Sequence, residues 1–381
     1  MRFRLRPRSD PLRRTFSAPV RVNSTPGDVQ VNGEQPPRVA LRARTGGLAP
    51  EIAVVWTTKR EAGTVLLQGM SRDGGRSFST SALVPGSDAP GNRGWEGLGV
   101  GPDGRFIAVW LDHRKLAQPQ TAAVAGEHHH EGAGMPAGSS SATPGTASKD
   151  ADGVAMAQLS QLFISSLDGA TKPIGVTGGV CYCCKTAVVA GAGNTLQLAW
   201  RHVYAGNLRD IAFTLSRDGG KTFSAPARVS EDHWRLEGCP DDGPSMAVDA
   251  KGVTHIVWPS VVMERGAPVK ALFHAATADG RSFSARDRLP TNGQANHPQL
   301  SIDTRGQLAV TWDESGNGSR VLAAAVARTS PAVAPIRFDR VAGEEEIGTY
   351  PAIVSVGAGR WLRAWTSGAP SSSVVKVGYV E

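Results

Sequence analysis

Four cysteines carry the most reactive chemistry in this 381-residue chain: Cys181, Cys183 and Cys184 in one short run, and Cys239 further on. Thiolates this closely spaced suit a soft ion, copper or zinc. The same residues suit one or two disulfides in an oxidising compartment. The run reads as C-x-C-C rather than as a C-x-x-C zinc pattern, and no C-x-x-C-H haem attachment is present. Histidines widen the inventory. His128, His129 and His130 sit between Glu127 and Glu131 in a low-complexity insertion over residues 117–153, rich in Ala, Gly, Ser, Thr and Pro. Such a segment is expected to be disordered, and its His cluster reads either as an unselected low-complexity excursion or as a metal-capture arm. His202 and His297 are the remaining candidate ligands.

The elements that position these groups announce themselves through tryptophan. Trp56, Trp110, Trp200, Trp258, Trp312 and Trp365 each end a similar apolar strand, at separations of 54, 90, 58, 54 and 53. Removing an insertion of roughly 35 residues brings the second interval into line with the rest. Six units with this period predict an all-β, six-bladed β-propeller of four-stranded antiparallel blades. One domain over residues 16–381 follows a basic disordered tail at 1–15. Arg2, Arg4, Arg6, Arg8, Arg13 and Arg14 against Asp10 give the first 14 residues +5 of the net +7. The body is then only mildly basic, which argues against a nucleic-acid partner. No apolar run of roughly 20 residues predicts a transmembrane helix.

Within each unit a turn recurs between the third and fourth strands. Ser71-Arg72-Asp73-Gly74-Gly75-Arg76-Ser77-Phe78 and Ser216-Arg217-Asp218-Gly219-Gly220-Lys221-Thr222-Phe223 are full copies, and Thr277 to Phe283, with Asp279, is one residue shorter. The carboxylate is expected to accept backbone N–H bonds across the turn, with Gly supplying positive φ. These turns resemble the Asp box of the sialidase-like (BNR-repeat) propellers, where that box is a folding device. Closure is also expected from sequence: residues 16–22 imitate residues 223–229, so the N-terminal segment should supply the fourth strand of the last blade, against 374–380.

Strand order sorts the chemistry onto one face. Asp boxes and their Gly turns fall on one side. The loops on the other side carry all four cysteines, Trp95, Glu96, Asp112, Arg114, Arg201, His202, Asp241, His297 and Tyr350. Sialidase-like propellers place their active site on that loop face. The resemblance implies a three-arginine carboxylate clamp, a Tyr–Glu nucleophile and an Asp acid/base; Tyr350 and Arg38 fall near two of these positions. The family's Phe/Tyr-Arg-Ile-Pro motif is replaced by Pro36-Pro37-Arg38-Val39.

The reading is therefore a periplasmic or secreted monomer, its signal lying upstream of this start, or alternatively a cytoplasmic one. It binds a small molecule, a glycan or a soft metal ion, copper or zinc, through Cys181, Cys183, Cys184 and Cys239 with His202, His297 or His128–His130. Trp95, Glu96, Arg114, Arg201 and His297 would line a ligand site. The alternative is a glycoside hydrolase using Tyr350 with Asp112, Asp241 or Asp313, and a third reading is a disulfide-stabilised scaffold.

Overall fold

The computed structural model describes residues 3–5, 16–30, 33, 35–116, 146–236, 238, 240, 242–316, 318–329, 336–369 and 372–380. Six sheets of four strands follow one another along the chain. Their first strands are Arg38–Arg42, Arg93–Val100, Ala187–Ala190, Ser245–Val248, Ala295–Ile302 and Thr349–Gly357. Each pairs antiparallel with the strand carrying the repeat tryptophan. The architecture is the six-bladed propeller that the tryptophan period predicts.

Why tryptophan sets the period is visible in the packing. Trp110 lies in one apolar cluster with Ala40, Val55 and Leu66 of the preceding blade. Trp200 meets Ile107 and Val109, Trp258 meets Ile211 and Phe213, and Trp312 meets Val257 and Leu272 in the same way. Each ring is a large apolar plate wedged between sheets, and its indole N–H needs an acceptor once buried. Trp110 Nε1 donates to Asp112 at 3.0 Å, Trp312 Nε1 to Glu314 at 2.7 Å, and Trp258 Nε1 to Asp232 at 2.6 Å.

Closure differs from the sequence expectation. Residues 16–22 form no strand. Val22 and Val29 pack instead on Val54, Trp56, Val65 and Leu67 of blade one, covering the tryptophan that has no preceding blade in sequence. The edge strand Val374–Val380 pairs in parallel with Phe3–Leu5. At the junction of blades one and six, Val39, Leu41 and Val354 remain 56%, 58% and 55% exposed. The rest of the expected tail at 1–15 lies outside the described residues.

The insertion within blade two also departs from expectation at its end. Residues 117–145, with His128–His130, lie outside the described residues, but Thr146–Leu159 forms a helix, α1. Its Ala, Met, Gln and Leu residues favour helix despite the low complexity of the segment. Val154 and Ala157, three residues apart and so on one helix face, pack against the cysteine loop. No helix among the described residues is long and apolar enough to cross a membrane.

Candidate functional site at the loop face

The Asp-box face is satisfied chemistry. Asp73 Oδ1 accepts the N–H groups of Arg76 and Ser77 at 2.9 and 3.0 Å, and Asp218 Oδ1 those of Lys221 and Thr222 at 3.0 and 2.9 Å. Asp279 accepts those of Arg281 and Ser282 at 2.8 Å. The Ser77 and Thr222 hydroxyls and these N–H groups hold Asp73 and Asp218 well below the usual carboxylate range. Gly74 and Gly75 adopt φ of 74° and 89°, which the tight turn requires. These carboxylates are occupied by their own turns rather than aimed at a ligand.

On the loop face the repeat delivers different residues to one equivalent position. Gly97, Ala187, Gln299 and Ala352 each pair with the residue just before the repeat tryptophan. Two residues earlier stand Trp95, Lys185, His297 and Tyr350. Trp95, His297 and Tyr350 have positive φ, 54°, 55° and 52°, at β-bulges that break each first strand. A bulge with a left-handed residue re-aims a side chain at the cost of backbone strain, which proteins concentrate at functional sites.

Three of these side chains, Tyr350, His297 and Lys185, converge on the loop face. The Tyr350 ring centre lies 4.2 Å from that of His297, and Lys185 Nζ reaches across from blade three to 5.4 Å from the Tyr350 ring. His297 N–H donates to Asp242 Oδ2 at 2.7 Å, and His297 Nδ1–H to Asp313 Oδ2 at 2.9 Å. Burial works to raise the Asp242 pKa, but His297, Lys270 and Lys185 outweigh it and hold it low. Asp313, likewise buried, is held low by His297 and Arg320. Gly243 takes the equivalent place in blade four, where any Cβ would strike the Lys185 carbonyl.

The segment ending at Lys185, Val180–Lys185, folds into a buried thiol pocket. Cys181 N–H donates to the Arg201 carbonyl at 2.9 Å and Thr186 N–H to the Trp95 carbonyl at 3.1 Å, pinning both ends of the loop. The sulfurs of Cys181, Cys183 and Cys184 all lie within 4.8 Å of one another. Cys184 Sγ donates to Cys181 Sγ at 3.2 Å, and Arg209 Nη1 donates to Cys181 Sγ at 3.1 Å. Neither Cys181 nor Cys184 is in a disulfide, and both are fully buried beneath α1 and Trp95. Burial acts to raise the Cys181 pKa, yet the Cys184 hydrogen bond and the Arg209 and Arg201 charges bring it down to about 6. Burial and its anionic neighbour push Cys184 up. The pocket thus stabilises one thiolate beside one thiol.

No family model and no curated protein matches the chain in sequence. Solved structures do match its shape. A Dyadobacter fermentans protein of unknown function superposes with TM-score 0.52 at 14% identity, over 92% of this chain and 96% of that one. The leech intramolecular trans-sialidase gives 0.53 at 9% identity, over 97% and 70%. The NanB sialidase of Streptococcus pneumoniae gives 0.53 at 10%, over 95% and 70%. The fold is that of the sialidases.

Within that sialidase fold, the expected site residues fare unequally. Tyr350, His297 and Trp95 stand at equivalent positions; Tyr350 and His297 come together, whereas Trp95 packs against the cysteine loop. Arg38 Nε donates to the Glu96 carbonyl at 2.8 Å. Glu96 is buried, which pushes its carboxyl up to about 7; Oε2 accepts from Thr57 Oγ1 at 3.3 Å. Arg201 is committed to the carbonyls of Asp242, Arg209 and Pro259, and Arg114 to Asp112 and the Gly86 carbonyl. Asp112 is enclosed by Trp110, Arg93 and Arg114, a setting that holds a blade together. His202 accepts from Trp200 Nε1 at 3.3 Å and lies against Tyr204; burial lowers its pKa to about 4. Among the described residues no histidine joins the three sulfurs. Cys239 and Asp241 lie outside the described residues.

Three residues of the site go beyond the sequence expectations. Lys185 carries a readable signal, since it stands two places before a first-strand residue as Tyr350 does. Asp242 is marked by its place at the blade-four entry. Arg209, 28 residues from Cys181, is brought to the sulfur only by the folded hairpin. The spacing of Cys181 and Cys184 is itself C-x-x-C, and these two thiols lie in direct contact.

Proposed function

We propose that the loop face of this propeller holds a monovalent soft metal ion of the copper(I) class between Cys181 and Cys184. The observation that carries this is the buried sulfur pair, 3.2 Å apart, with a guanidinium 3.1 Å from one member. Two thiolates around a monovalent ion leave one net negative charge, which Arg209 offsets in this buried setting. Structural zinc takes four ligands and carries no such surplus with two; soft thiolate sites select Cu(I). The protein acts outside the cytoplasm in this reading, where it captures or passes on the ion. Anaerobic titration with Cu(I) against a chromophoric chelator tests it: one equivalent should bind, and Cys181→Ser or Cys184→Ser should abolish binding at unchanged circular dichroism. Binding by both variants equal to that of the wild type would overturn it.

A second reading is favoured by the Tyr350, His297 and Lys185 cluster. Tyr350, His297 and Lys185 form an aromatic and cationic rim of the kind that receives an anionic sugar, on the fold shared with the leech and S. pneumoniae sialidases. Asp242, buried among these cations, would orient Lys185 and His297. Turnover of a chromogenic sialoside, lost in Tyr350→Phe, supports it; no turnover and no sialic acid binding by calorimetry rejects it.

A further inference from the structure

The thiol pocket has a second property that metal capture does not require. Cys181 and Cys184 stand three residues apart on a loop pinned at both ends, and their sulfurs already touch. A disulfide bond is about 2.05 Å long, so about 1 Å of closing joins them with no blade moving. The two sulfurs are also unequal. Arg209 Nη1 faces Cys181, and this guanidinium is itself fixed: its Nε donates to Asn207 Oδ1 at 3.0 Å, and the Tyr182 ring lies 5.8 Å from it. The hydrogen bond of Cys184 goes instead to its neighbouring sulfur. One sulfur is therefore set to attack and the other to resolve, the division of labour in a C-x-x-C exchange pair.

We infer that Cys181 and Cys184 form a reversible disulfide by exchange with a small-molecule disulfide, and that this bond switches off metal binding at the same pair. Cys181 sulfur attacks one sulfur of the small disulfide, forming a mixed disulfide and releasing the first small thiol. Cys184 sulfur then attacks the Cys181 sulfur, and the second small thiol leaves. Two protein thiols are oxidised by two electrons, one exogenous disulfide is reduced to two thiols, and the two thiol protons go to the two leaving groups. The oxidant is a small molecule because both sulfurs are buried under Val154 and Ala157 of α1 and Trp95. A folded protein disulfide has no approach to them. The switch rests on the metal reading, whereas the disulfide stands on the geometry alone.

The test treats the reduced full chain with oxidised glutathione and maps the products by peptide mass spectrometry, which separates a 181–184 bond from any bond to Cys183 or Cys239. The 181–184 disulfide should form and dithiothreitol should reverse it. Cys184→Ser should trap one glutathione on Cys181, and Cys181→Ser should trap none on Cys184. Cu(I) competition on the same samples should show one equivalent bound when reduced and none when oxidised. If no 181–184 disulfide forms while the reduced chain binds copper, the inference is overturned and the metal reading stands. If the disulfide forms and copper is retained, the switch is overturned. If the disulfide forms and copper binds in neither state, the metal reading and its switch fall together and the exchange chemistry is supported.

Discussion

The two faces of the propeller use similar side chains to opposite ends. On the Asp-box face, Asp73, Asp218 and Asp279 repeat one solution: a carboxylate whose acceptors are met by its own turn. On the loop face the backbone bulge recurs but the side chains do not. Trp95, Lys185, His297 and Tyr350 occupy one equivalent position with four chemistries, three of them in strained backbone. Beside them two cysteine sulfurs in contact are buried against an arginine. Repetition marks what the fold needs in every blade; buried chemistry that breaks the repeat marks what one site needs.

That contrast breaks if loop-face substitutions behave like Asp-box ones. The largest effect on metal binding is expected at Arg209. Replacing it with Ala removes the charge that offsets the thiolates, and Cu(I) affinity should fall by about 10–100-fold, as for other groups that orient or tune metal ligands. Arg209→Lys should recover part of it, a rescue that a merely structural role would not show. Chelator competition reads both.

Next is the blade wedge. Trp312→Ala should destabilise the fold by about 3–5 kcal/mol, through lost burial and the cavity left between blades. Urea unfolding measures this, and a loss below about 1 kcal/mol would deny tryptophan its role in the repeat.

Glu96 gives a comparable effect that depends on pH. Burial raises its folded pKa to about 7, above its ordinary 4.5. Between those values the folded state keeps a proton that the unfolded state has lost. Stability should therefore fall as pH rises through that window and level off above it. The total is about 3 kcal/mol at most. Glu96→Gln should flatten the profile, and an unchanged profile would place the titration elsewhere.

The smallest effect belongs to the repeated face. Asp218→Ala should lower the melting temperature modestly by freeing the N–H groups of Lys221 and Thr222, and should leave metal binding by the folded fraction unchanged. A variant with normal melting but lost binding would erase the distinction between the faces.

Much of the fold is legible in the amino-acid sequence alone. Tryptophan spacing and the Asp-box turns are local signals: the first reports a packing need that recurs in every blade, the second a hydrogen-bonding need that recurs in three. Closure is not legible in this way, because the likeness of residues 16–22 to 223–229 is local while the choice of neighbour is tertiary. Val22 and Val29 instead cover Trp56, the one wedge without a blade before it in sequence. Helix α1 is hidden because low complexity masks the helix propensity of Ala-rich chain. The cysteines are legible as a cluster, but the cation that differentiates them arrives from another hairpin.

The central claim concerns which atoms hold the metal, and X-ray absorption at the copper edge on Cu(I)-loaded protein tests it most directly. A sulfur-dominated shell is expected in the wild type and should disappear in the Cys181→Ser, Cys184→Ser double variant. A shell of nitrogen or oxygen ligands alone, or a sulfur shell that survives the double variant, would contradict it.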